Sequence, residues 1–425
     1  MNSTVIKFAL LIFLSGCAFE GDRKPAPIQN ESTQKKNNET QRQVKDNIKK
    51  QKLNKRLSSN NKQKKQIEWS KLGRLRPISF DNLEGWSDQD FANVWLAWLR
   101  NCQSVKLPIQ ILKICEKSHN FYQEDPKLIK EFFEKNFHPH LLNSPPGIIT
   151  GYYEPIVKGS RKKTSVYKYP IYRTPTDLVQ TEIIKNGKLT GKKLIGKQLE
   201  TTKGTFIVPY PTRSEIKRND LLNGLELIFF DNPIEAFFVQ IQGSAKVILP
   251  DNKVIRVGYA GSNGQKYISI GSWLINKKEL AYKDASMSGI KKWIKKNPSR
   301  VDELLNVNPR FIFFRELESS SDPTLGPIGS LGIPLTANHS LAVDKNFVSL
   351  GLPVFLTTQK RFEEKLKRKN LQLSTLMFAQ DTGKAIIGAN RGDYFYGSGK
   401  IAGKKAGKTK FKAITILLLP TNSSN

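Results

Sequence analysis

The chain has 425 residues and a formal net charge of +32, with a pI near 9.9. Such a charge is typical of nucleic-acid-binding proteins. However, the lysines are dispersed, aromatic residues do not alternate with basic runs, and no known nucleic-acid motif occurs, so we expect no nucleic-acid partner. Beyond the first residues no apolar run approaches the length of a membrane-spanning helix, which excludes a multi-span membrane protein.

The N-terminus carries the pattern of an export signal. One lysine, Lys7, precedes the apolar run 8–14, and the run ends in Leu-Ser-Gly-Cys17. This predicts a secretory signal peptide over residues 1–16. The ending resembles a bacterial lipobox, so we expect Cys17 to become the lipidated first residue of a lipoprotein; the alternative is a chance cysteine in an ordinary signal peptide. The residue after the cysteine is Ala18 rather than an aspartate. In the lipoproteins that this N-terminus resembles, the lack of an aspartate at this position favours an anchor in the outer membrane, facing the periplasm.

Residues 17–66 are rich in Lys, Asn, Gln, Ser and Glu and contain few apolar residues. Such a segment cannot bury a core, which predicts a disordered tether. A tether lets an anchored domain reach across a gap. With export predicted, an acidic polymer of the envelope is the partner that the positive charge favours. The remaining 360 or so residues are enough for two domains.

The region that follows the tether is predicted to be helical. Residues 88–142 carry apolar residues at the 3.6-residue period of a helix. Cys102 and Cys115 fall in this region and form an even pair in an oxidising compartment, which predicts a disulfide; two free buried thiols are the alternative. His138 and His140 are close together but have no carboxylate or cysteine at ligand spacing. We therefore expect them in a surface loop, with no metal site and no cofactor.

From Ile148 onward, short apolar runs separated by Gly, Pro and Asn predict strands. One helix is predicted over Met287–Lys296. The predicted strands are Ile148–Tyr153, Leu225–Phe230, Phe237–Gln242, Ala245–Leu249, Val254–Tyr259, Phe311–Arg315, Leu341–Asp344, Val354–Thr357, Leu376–Gln380 and Ile414–Leu419. Many short strands with a few helices favour barrels over a doubly wound sheet.

Three aspartates in the C-terminal part stand among small and β-branched residues. Asp344 ends one apolar run, and Asp381 and Asp393 flank a Gly-rich stretch. A carboxylate in such surroundings is costly unless it is paired or used in chemistry, which favours a functional site. The alternative is three ordinary turn aspartates, since Asp-Thr-Gly and Arg-Gly-Asp are common turn sequences.

Eight motifs in order carry a family resemblance. They are Gly151-Tyr152-Tyr153-Glu154-Pro155, Tyr169-Pro-Ile-Tyr172-Arg173, Pro209-Tyr-Pro-Thr-Arg213, Phe237-Phe-Val-Gln240-Ile-Gln242-Gly243-Ser244, Gly258-Tyr259-Ala-Gly261-Ser-Asn263-Gly264, Asn308-Pro-Arg-Phe-Ile-Phe-Phe314-Arg315-Glu316, Leu335-Thr336 with Ser340-Leu-Ala-Val-Asp344, and the Asp381/Asp393 segment. Together they resemble the membrane-bound lytic murein transglycosylase A family over nearly all of residues 70–420. Two positions differ from the family pattern: Lys384 replaces a glycine and His339 replaces an arginine.

The resemblance implies a mainly β fold with N-terminal helices. A double-psi β-barrel catalytic domain would be built from residues 67–155 and 316–425, and a second β-barrel domain, residues 156–315, would be inserted into it. A long glycan cleft would lie between the two. By the resemblance Asp393 is the catalytic acid/base, Asp381 lies beside it, and Asp344 is the third aspartate of the domain.

The implied reaction cleaves the MurNAc-GlcNAc bond of peptidoglycan without water and leaves a 1,6-anhydro ring. One carboxyl serves both proton steps, so its pKa must be raised by burial or by a nearby like charge. We expect tyrosine faces and polar side chains of the motifs to bind the glycan, with core packing as the alternative for the tyrosines. The predicted substrate-binding residues are Tyr152, Tyr153, Glu154, Gln240, Gln242, Gly243, Ser244, Thr336, Ser340 and Asp344.

Two other functions remain open. One is a non-catalytic peptidoglycan-binding lipoprotein, and the other is a glycan hydrolase or an expansin-like protein that loosens the wall. The intact Asp393 with its flanking glycines disfavours a binding module. The predicted partners are peptidoglycan glycan strands and, through the lipid, a membrane; a cell-wall synthesis or division machinery is a further candidate.

Overall fold

The computed structural model describes residues 75–119, 121, 125–142, 144–185, 188–202, 204–318, 322, 324–357 and 374–421. All of these belong to one unit of the chain, Lys64–Asn425. The predicted signal peptide with Cys17 and the predicted tether lie outside the described residues. Within the described part, no helix combines the length and the apolar character needed to cross a membrane.

Helices occur before residue 137 and within residues 156–315, with one more near the C-terminus. They are α1 (Phe91–Asn101), α2 (Ile109–His119), α3 (Pro126–Asn136), α4 (Arg213–Arg218), α5 (Pro233–Gln242), α6 (Ile270–Asn276), α7 (Met287–Lys296), α8 (Val301–Asn306) and α9 (Gly399–Lys408), with short 3-10 helices at Phe80–Asn82, Tyr282–Asp284 and Pro298–Arg300. The predicted bounds of α7 are confirmed.

Strands make up most of the rest. They are β1 (Leu75–Pro77), β2 (Phe137–Leu142), β3 (Gly147–Glu154), β4 (Ile156–Ser160), β5 (Tyr169–Tyr172), β6 (Leu178–Lys185), β7 (Lys188–Thr201), β8 (Gly204–Pro209), β9 (Glu226–Phe230), β10 (Ser244–Ile248), β11 (Val254–Ser262), β12 (Ile312–Leu317), β13 (Leu325–Ile328), β14 (Pro334–Thr336), β15 (Ser340–Val343), β16 (Pro353–Thr357), β17 (Ser374–Asp381), β18 (Gly392–Ser398) and β19 (Lys410–Pro420). The expected mainly β fold with some helices is confirmed.

The largest sheet closes on itself. Its order is β1-β2-β19-β16-β17-β15-β18-β3, and β3 pairs in addition with β19. The six strands from β19 to β3 therefore form a closed ring. Of the six pairs of adjacent strands in the ring, two are parallel, namely β15 with β17 and β18 with β3. The other four pairs are antiparallel. Only β3 precedes residues 156–315 in sequence, so chain from both sides of that segment builds the ring.

The N-terminal helices pack on the ring through aromatic side chains. Trp98 of α1 is fully buried, and its ring centroid lies 5.9 Å from Phe133, 5.7 Å from Phe137 and 5.9 Å from Phe378 of β17. Buried aromatic side chains remove large apolar areas from water, so this cluster fixes the helices to the ring. A disulfide joins Cys102 to Cys115 and links the end of α1 to α2.

The expectation of a strand over Phe237–Gln242 is wrong, because this segment is the second half of α5. The Asn232 side chain accepts a hydrogen bond from the Ile234 amide, and Pro233 occupies the first turn. Gly243 ends the helix in the left-handed conformation, with φ of 79°. A continuous apolar run does not reveal its period, so these capping residues were the informative signal.

The expectation of a surface loop at His138 and His140 is also wrong. Both residues lie in β2, which pairs with β19 on one side and with β1 on the other. The helical pattern predicted through residue 142 therefore ends at Asn136. From Phe137 onward, buried and exposed residues at first alternate, as in a strand. The Phe137 side chain packs against Trp98 in the aromatic cluster described above.

Residues 156–315, together with the end of β12 at Leu317, form their own sheets. One has the order β12-β11-β10-β4-β9-β5, and a second, three-stranded sheet has the order β6-β7-β8. Among the described strands, none of these pairs with the ring. Buried aliphatic and aromatic residues fill the space between the six-stranded sheet and α5; they include Ile228, Phe230, Val239, Val247, Ile255 and Phe314.

Candidate functional site

One row of five residues crosses five strands of the ring. Lys410 pairs with Thr150, Thr150 with Asp393, Asp393 with Ala342, and Ala342 with Asp381. Directly paired residues of neighbouring strands face the same side of a sheet. Adjacent strands are about 4.8 Å apart, so the Cα atoms of Asp393 and Asp381 are separated by about 10 Å. The ring therefore brings both predicted aspartates to one face.

Asp393 is half-buried and has a defined hydrogen-bonding partner. The Thr150 hydroxyl donates to its Oδ1 at 2.7 Å, and Arg391 Nη2 donates to the same hydroxyl oxygen at 2.8 Å. Burial raises the pKa of Asp393 to about 6, while the Thr150 hydrogen bond and the Arg391 charge oppose the rise. The charge of Asp381 adds only a smaller increase. Burial, rather than the like charge, is thus the main cause of the raised pKa.

Asp381 is held by several donors. Its Oδ1 accepts from the Ser330 amide at 3.0 Å and from the Ser330 hydroxyl at 2.8 Å. Its Oδ2 accepts from the Tyr152 hydroxyl at 3.1 Å. Burial raises the pKa of Asp381, and the hydrogen bonds from Ser330, Thr382 and Tyr152 counter that rise because they favour the charged form. Its carboxylate is therefore fixed in position.

Tyr152 and Tyr153 connect this face to its surroundings. The Tyr152 hydroxyl donates to Asp381 Oδ2, and burial, followed by the charges of Asp381 and Asp393, raises the pKa of Tyr152. The Tyr153 amide donates to Gln242 Oε1 at 3.1 Å, which ties β3 to the end of α5. A Cβ atom on Gly403 would come within 2.9 Å of the Tyr153 ring, so α9 approaches that ring closely.

Asp344 lies at the end of β15 and anchors the loop between Asp381 and Asp393. Its carboxylate accepts from the Asn346 amide at 3.0 Å and from the Gly388 amide at 2.9 Å. Gly388 has φ of 120°, a conformation that favours glycine. The contacts of Asp344 are those of a residue that positions the loop, and its predicted contact with substrate stays a prediction.

The predicted glycan contact of Glu154 is not compatible with its position. Its side chain is fully buried, 0% exposed, and forms an ion pair with Arg256 at 2.7 Å. Its other oxygen accepts from the Ser398 hydroxyl at 2.6 Å. A carboxylate buried this deeply needs such partners, so Glu154 holds β3, β11 and β18 together.

Gln240 and Ser340 likewise belong to the interior, which corrects their predicted role in glycan binding. The side-chain oxygen of Gln240, Oε1, accepts from Arg213 Nη2 at 2.9 Å. Ser340 is fully buried; its hydroxyl donates to Gln380 Oε1 at 2.5 Å and accepts from the Thr336 amide at 2.7 Å. Both side chains satisfy buried polar groups of the fold.

Three further predicted residues lie at element ends. Thr336 is buried, and its hydroxyl accepts from Arg100 Nη1 at 3.3 Å. Ser244 is buried at the start of β10. A Cβ atom on Gly243 would meet no atom within 4 Å, so the space beside this residue is open. Contacts of these three with a glycan stay predictions.

The sequence did not single out Thr150, Arg391 and Ser330. Thr150 directly precedes the motif that begins at Gly151, and Arg391 lies within the Asp381/Asp393 segment, two positions before Asp393; these positions were the available signal. No local signal marks Ser330, because it meets Asp381 across 51 positions of sequence. Tyr267, on the loop after β11, is a fourth such residue: burial is the main cause of its raised pKa, and the charge of Asp393 adds a smaller increase. Among the described residues, no group of three or more His, Cys, Asp or Glu could hold a metal ion.

Comparisons with known proteins match much of the chain. The model of the MltA-specific insert domain matches residues 148–315, and the model of the 3D domain matches residues 339–418. Membrane-bound lytic murein transglycosylase A of Vibrio cholerae is 32% identical over 266 residues. The protein of the same name from Escherichia coli K12 is 29% identical over 261 residues. The match spans 62% of this chain and 62% of the Vibrio protein, and 61% of each chain for the Escherichia protein.

Solved structures are similar over more of their length. The membrane-bound lytic murein transglycosylase of Agrobacterium tumefaciens is 31% identical with a TM-score of 0.69, covering 81% of this chain and 97% of that one. MltA of Neisseria gonorrhoeae is 32% identical with a TM-score of 0.67, covering 82% and 93%. Lytic transglycosylase LtgG of Burkholderia pseudomallei is 38% identical with a TM-score of 0.54, covering 82% and 96%. The resemblance noted in the sequence is confirmed, and the chain belongs to the membrane-bound lytic murein transglycosylase A family.

Proposed function

We propose that this protein is a peptidoglycan lytic transglycosylase, which cleaves the MurNAc-GlcNAc bond without water and leaves 1,6-anhydromuramoyl ends. The names of its relatives support this class of reaction. The observation on this chain that carries the proposal is Asp393, a half-buried carboxyl whose pKa is raised to about 6. At pH 7 roughly a tenth of such a group still carries a proton, enough for a general acid.

In the proposed reaction Asp393 donates its proton to the bridging oxygen, and the bond between that oxygen and C1 of the muramic acid breaks. The C6 hydroxyl of the same muramic acid then attacks C1 and closes the anhydro ring. Its proton passes to the Asp393 carboxylate, which restores the acid. The Thr150 hydroxyl and the nearby Arg391 charge stabilise the carboxylate between the two steps.

Asp381 has a different role in this proposal. Three hydrogen bonds from Ser330 and Tyr152 keep its carboxylate in place. A fixed anion favours the positive charge that develops at the sugar in the transition state. A hydrolase would instead need its second carboxylate as a nucleophile or as a base for water. Because the donors around Asp381 stabilise a stationary anion, we favour the reaction that uses one acid.

The test is mass spectrometry of purified murein sacculi digested by the protein. We expect muropeptides with anhydro ends, 18 mass units lighter than the hydrolysis products because one water is not added, as expected for intramolecular attack. Reducing ends would identify a hydrolase. Binding of sacculi without any cleaved product would identify a binding module.

The domain division is also proposed. Residues 67–155 and 316–425 would form a double-psi β-barrel, and residues 156–315 an inserted β-barrel. The closed six-stranded ring with two parallel pairs supports the first part. The separate sheets of residues 156–315 support the second.

Delivery to the envelope rests on Cys17, which lies outside the described residues. We propose lipidation at Cys17 and an anchor in the outer membrane, followed by the tether over residues 17–66. The Cys17→Ala variant is expected to lose the lipid and to leave the membrane fraction or remain unprocessed. Cell fractionation of tagged proteins measures this. A wild-type protein found in the soluble envelope fraction would contradict the lipoprotein proposal.

The Thr150→Val variant tests how the pKa of Asp393 is set. The Thr150 hydrogen bond lowers this pKa, so its removal should raise the pKa above about 6. Asp393 must be protonated to begin the reaction, so activity falls as pH rises through its pKa. We therefore expect the alkaline fall of the pH–rate profile to move upward by about one unit. Thr150→Ser retains the hydroxyl and is expected to keep the wild-type midpoint; a common midpoint for all three proteins would contradict this assignment.

A further inference from the structure

Two lysines of β19 extend the face that carries Asp393. Lys410 is the register partner of Thr150, and Lys412 is the partner of Ile148. Alternate residues of a strand face the same side, so both lysines lie on the side of Thr150 and Asp393. Both are exposed, and Ile148 beside them is 42% exposed. This surface, which we call the β19 lysine pair, is open to solvent.

The charges of the β19 lysine pair are not neutralised by the described residues. Lys410 Nζ lies 4.0 Å from the ring centroid of Tyr282, which belongs to residues 156–315. A cation over an aromatic face is held in place and keeps its charge. In the described ranges neither Lys410 nor Lys412 forms an ion pair with a carboxylate. The pair is therefore available to bind an anion that comes with the substrate.

The position of the pair indicates which anion. Lys410 is two strands from Asp393, about 10 Å between Cα atoms. A group bound there must be carried by the sugar at the cleaved bond or by its neighbour. In peptidoglycan the muramic acid at that bond bears the peptide stem, whose carboxylates are negatively charged at neutral pH.

We propose that the β19 lysine pair binds the carboxylates of the peptide stem, so that this protein favours glycan strands that carry stems over bare strands. This inference rests on the proposed function, because it assumes cleavage beside muramic acid. The inference adds a preference for charged peptide stems, which cleavage of the glycan chain does not itself require.

The experiment compares three substrates by kcat/KM: strands with their stems, strands whose stem carboxylates have been converted to amides, and strands freed of stems by an amidase, which lose the stem carboxylates and keep the lactyl carboxylate of each muramic acid. The amidated strands separate the effect of charge from that of the peptide itself. For wild-type protein we expect a preference of about three-fold to ten-fold for charged stems over the other two substrates, as for two exposed ion pairs. The Lys410→Gln/Lys412→Gln double variant is expected to bring this ratio close to one.

Lys404→Gln is the matched control. Lys404 is another exposed lysine, on α9, beside Gly403, which contacts Tyr153. Tyr153 and Thr150 face opposite sides of β3, so Lys404 lies outside the row that contains Asp393. The control should keep the wild-type ratio, and Lys410→Arg, which retains the charge, should keep most of it.

The outcomes separate the two proposals. Anhydro ends formed equally well from all three substrates would overturn the stem specificity and leave the proposed function intact. A ratio lowered as much by Lys404→Gln as by the double variant would also overturn it, because the effect would then be one of general charge. An absence of anhydro ends from every substrate would overturn the proposed function, and the inference with it.

Discussion

The Asp393→Asn variant is expected to lose between about a hundred-fold and ten-thousand-fold of its rate on murein, the usual contribution of a general acid or base. An amide cannot donate a proton to the bridging oxygen or accept one from the C6 hydroxyl, so both proposed steps fail together. Asparagine has nearly the same shape as aspartate and still accepts the hydrogen bond from Thr150. Folding and binding of glycan strands should therefore persist.

The measurement is the release of soluble muropeptides over time, together with a pull-down on intact sacculi. Asp231→Asn is the matched control, because Asp231 is exposed and lies in residues 156–315; it is expected to turn over murein at the wild-type rate. More than about a tenth of wild-type activity in Asp393→Asn would remove this residue from the role of acid.

The Arg256→Ala variant is expected to lower the free energy of unfolding by about 3–5 kcal/mol. Arg256 is the ion-pair partner of Glu154, with Nε–Oε1 at 2.7 Å and Nη2–Oε2 at 3.2 Å. Glu154 is 0% exposed, so removal of the arginine leaves a buried charge without its partner. Denaturant unfolding of the chain from residue 67 onward measures the change.

Arg161→Ala provides the comparison for this prediction. Arg161 pairs with Glu316 through two hydrogen bonds at 2.7 and 2.8 Å, but the two side chains are 46% and 36% exposed. Water screens such a pair, so we expect a loss below about 1 kcal/mol. Equal losses of unfolding free energy in the two variants would show that burial does not determine how much the Glu154–Arg256 pair stabilises the fold.

How far the sequence predicted the site can be judged from individual residues. Asp381 and Asp393 were predicted to lie near each other, and the register through Ala342 brings them to one face. The cause of the raised pKa was predicted less well, since burial outweighs the like charge. Burial of a half-exposed strand residue depends on what packs over it, which the local sequence does not record.

The predicted glycan-binding residues illustrate a second limit. Glu154 and Ser340 occur in the same motifs as Tyr152 and Asp344, yet both point into the interior. Glu154 is two positions from Tyr152, and Ser340 is four positions from Asp344, so the members of each pair face the same side of the strand and alternation does not separate them. What differs is the chain packed over each side chain, such as Arg256 over Glu154. Such packing depends on segments that are distant in sequence, as β3 and β18 are, separated by more than two hundred residues.

The fold class was more accessible, because it depends on patterns repeated along the chain. Most predicted strands lie within a few residues of the observed ones, since short apolar runs bounded by Gly and Pro are local signals. The error at α5 arose where a run was apolar throughout. There the capping residues indicate a helix: Asn232 and Pro233 at its start and Gly243 at its end.

The closed ring also has a consequence for the order in which the chain folds. Residues 156–315 are complete, with their own sheets, well before β18 and β19 are synthesised. By contrast β3, whose ring partners are β18 and β19, has both edges unpaired until the last strands arrive. Contacts between such distant segments form slowly, and unpaired edges favour aggregation in the meantime. Thr150 meets Asp393 only when β18 pairs with β3, so the candidate site cannot form before β18 is synthesised, and a chain that ends before β18 lacks this site.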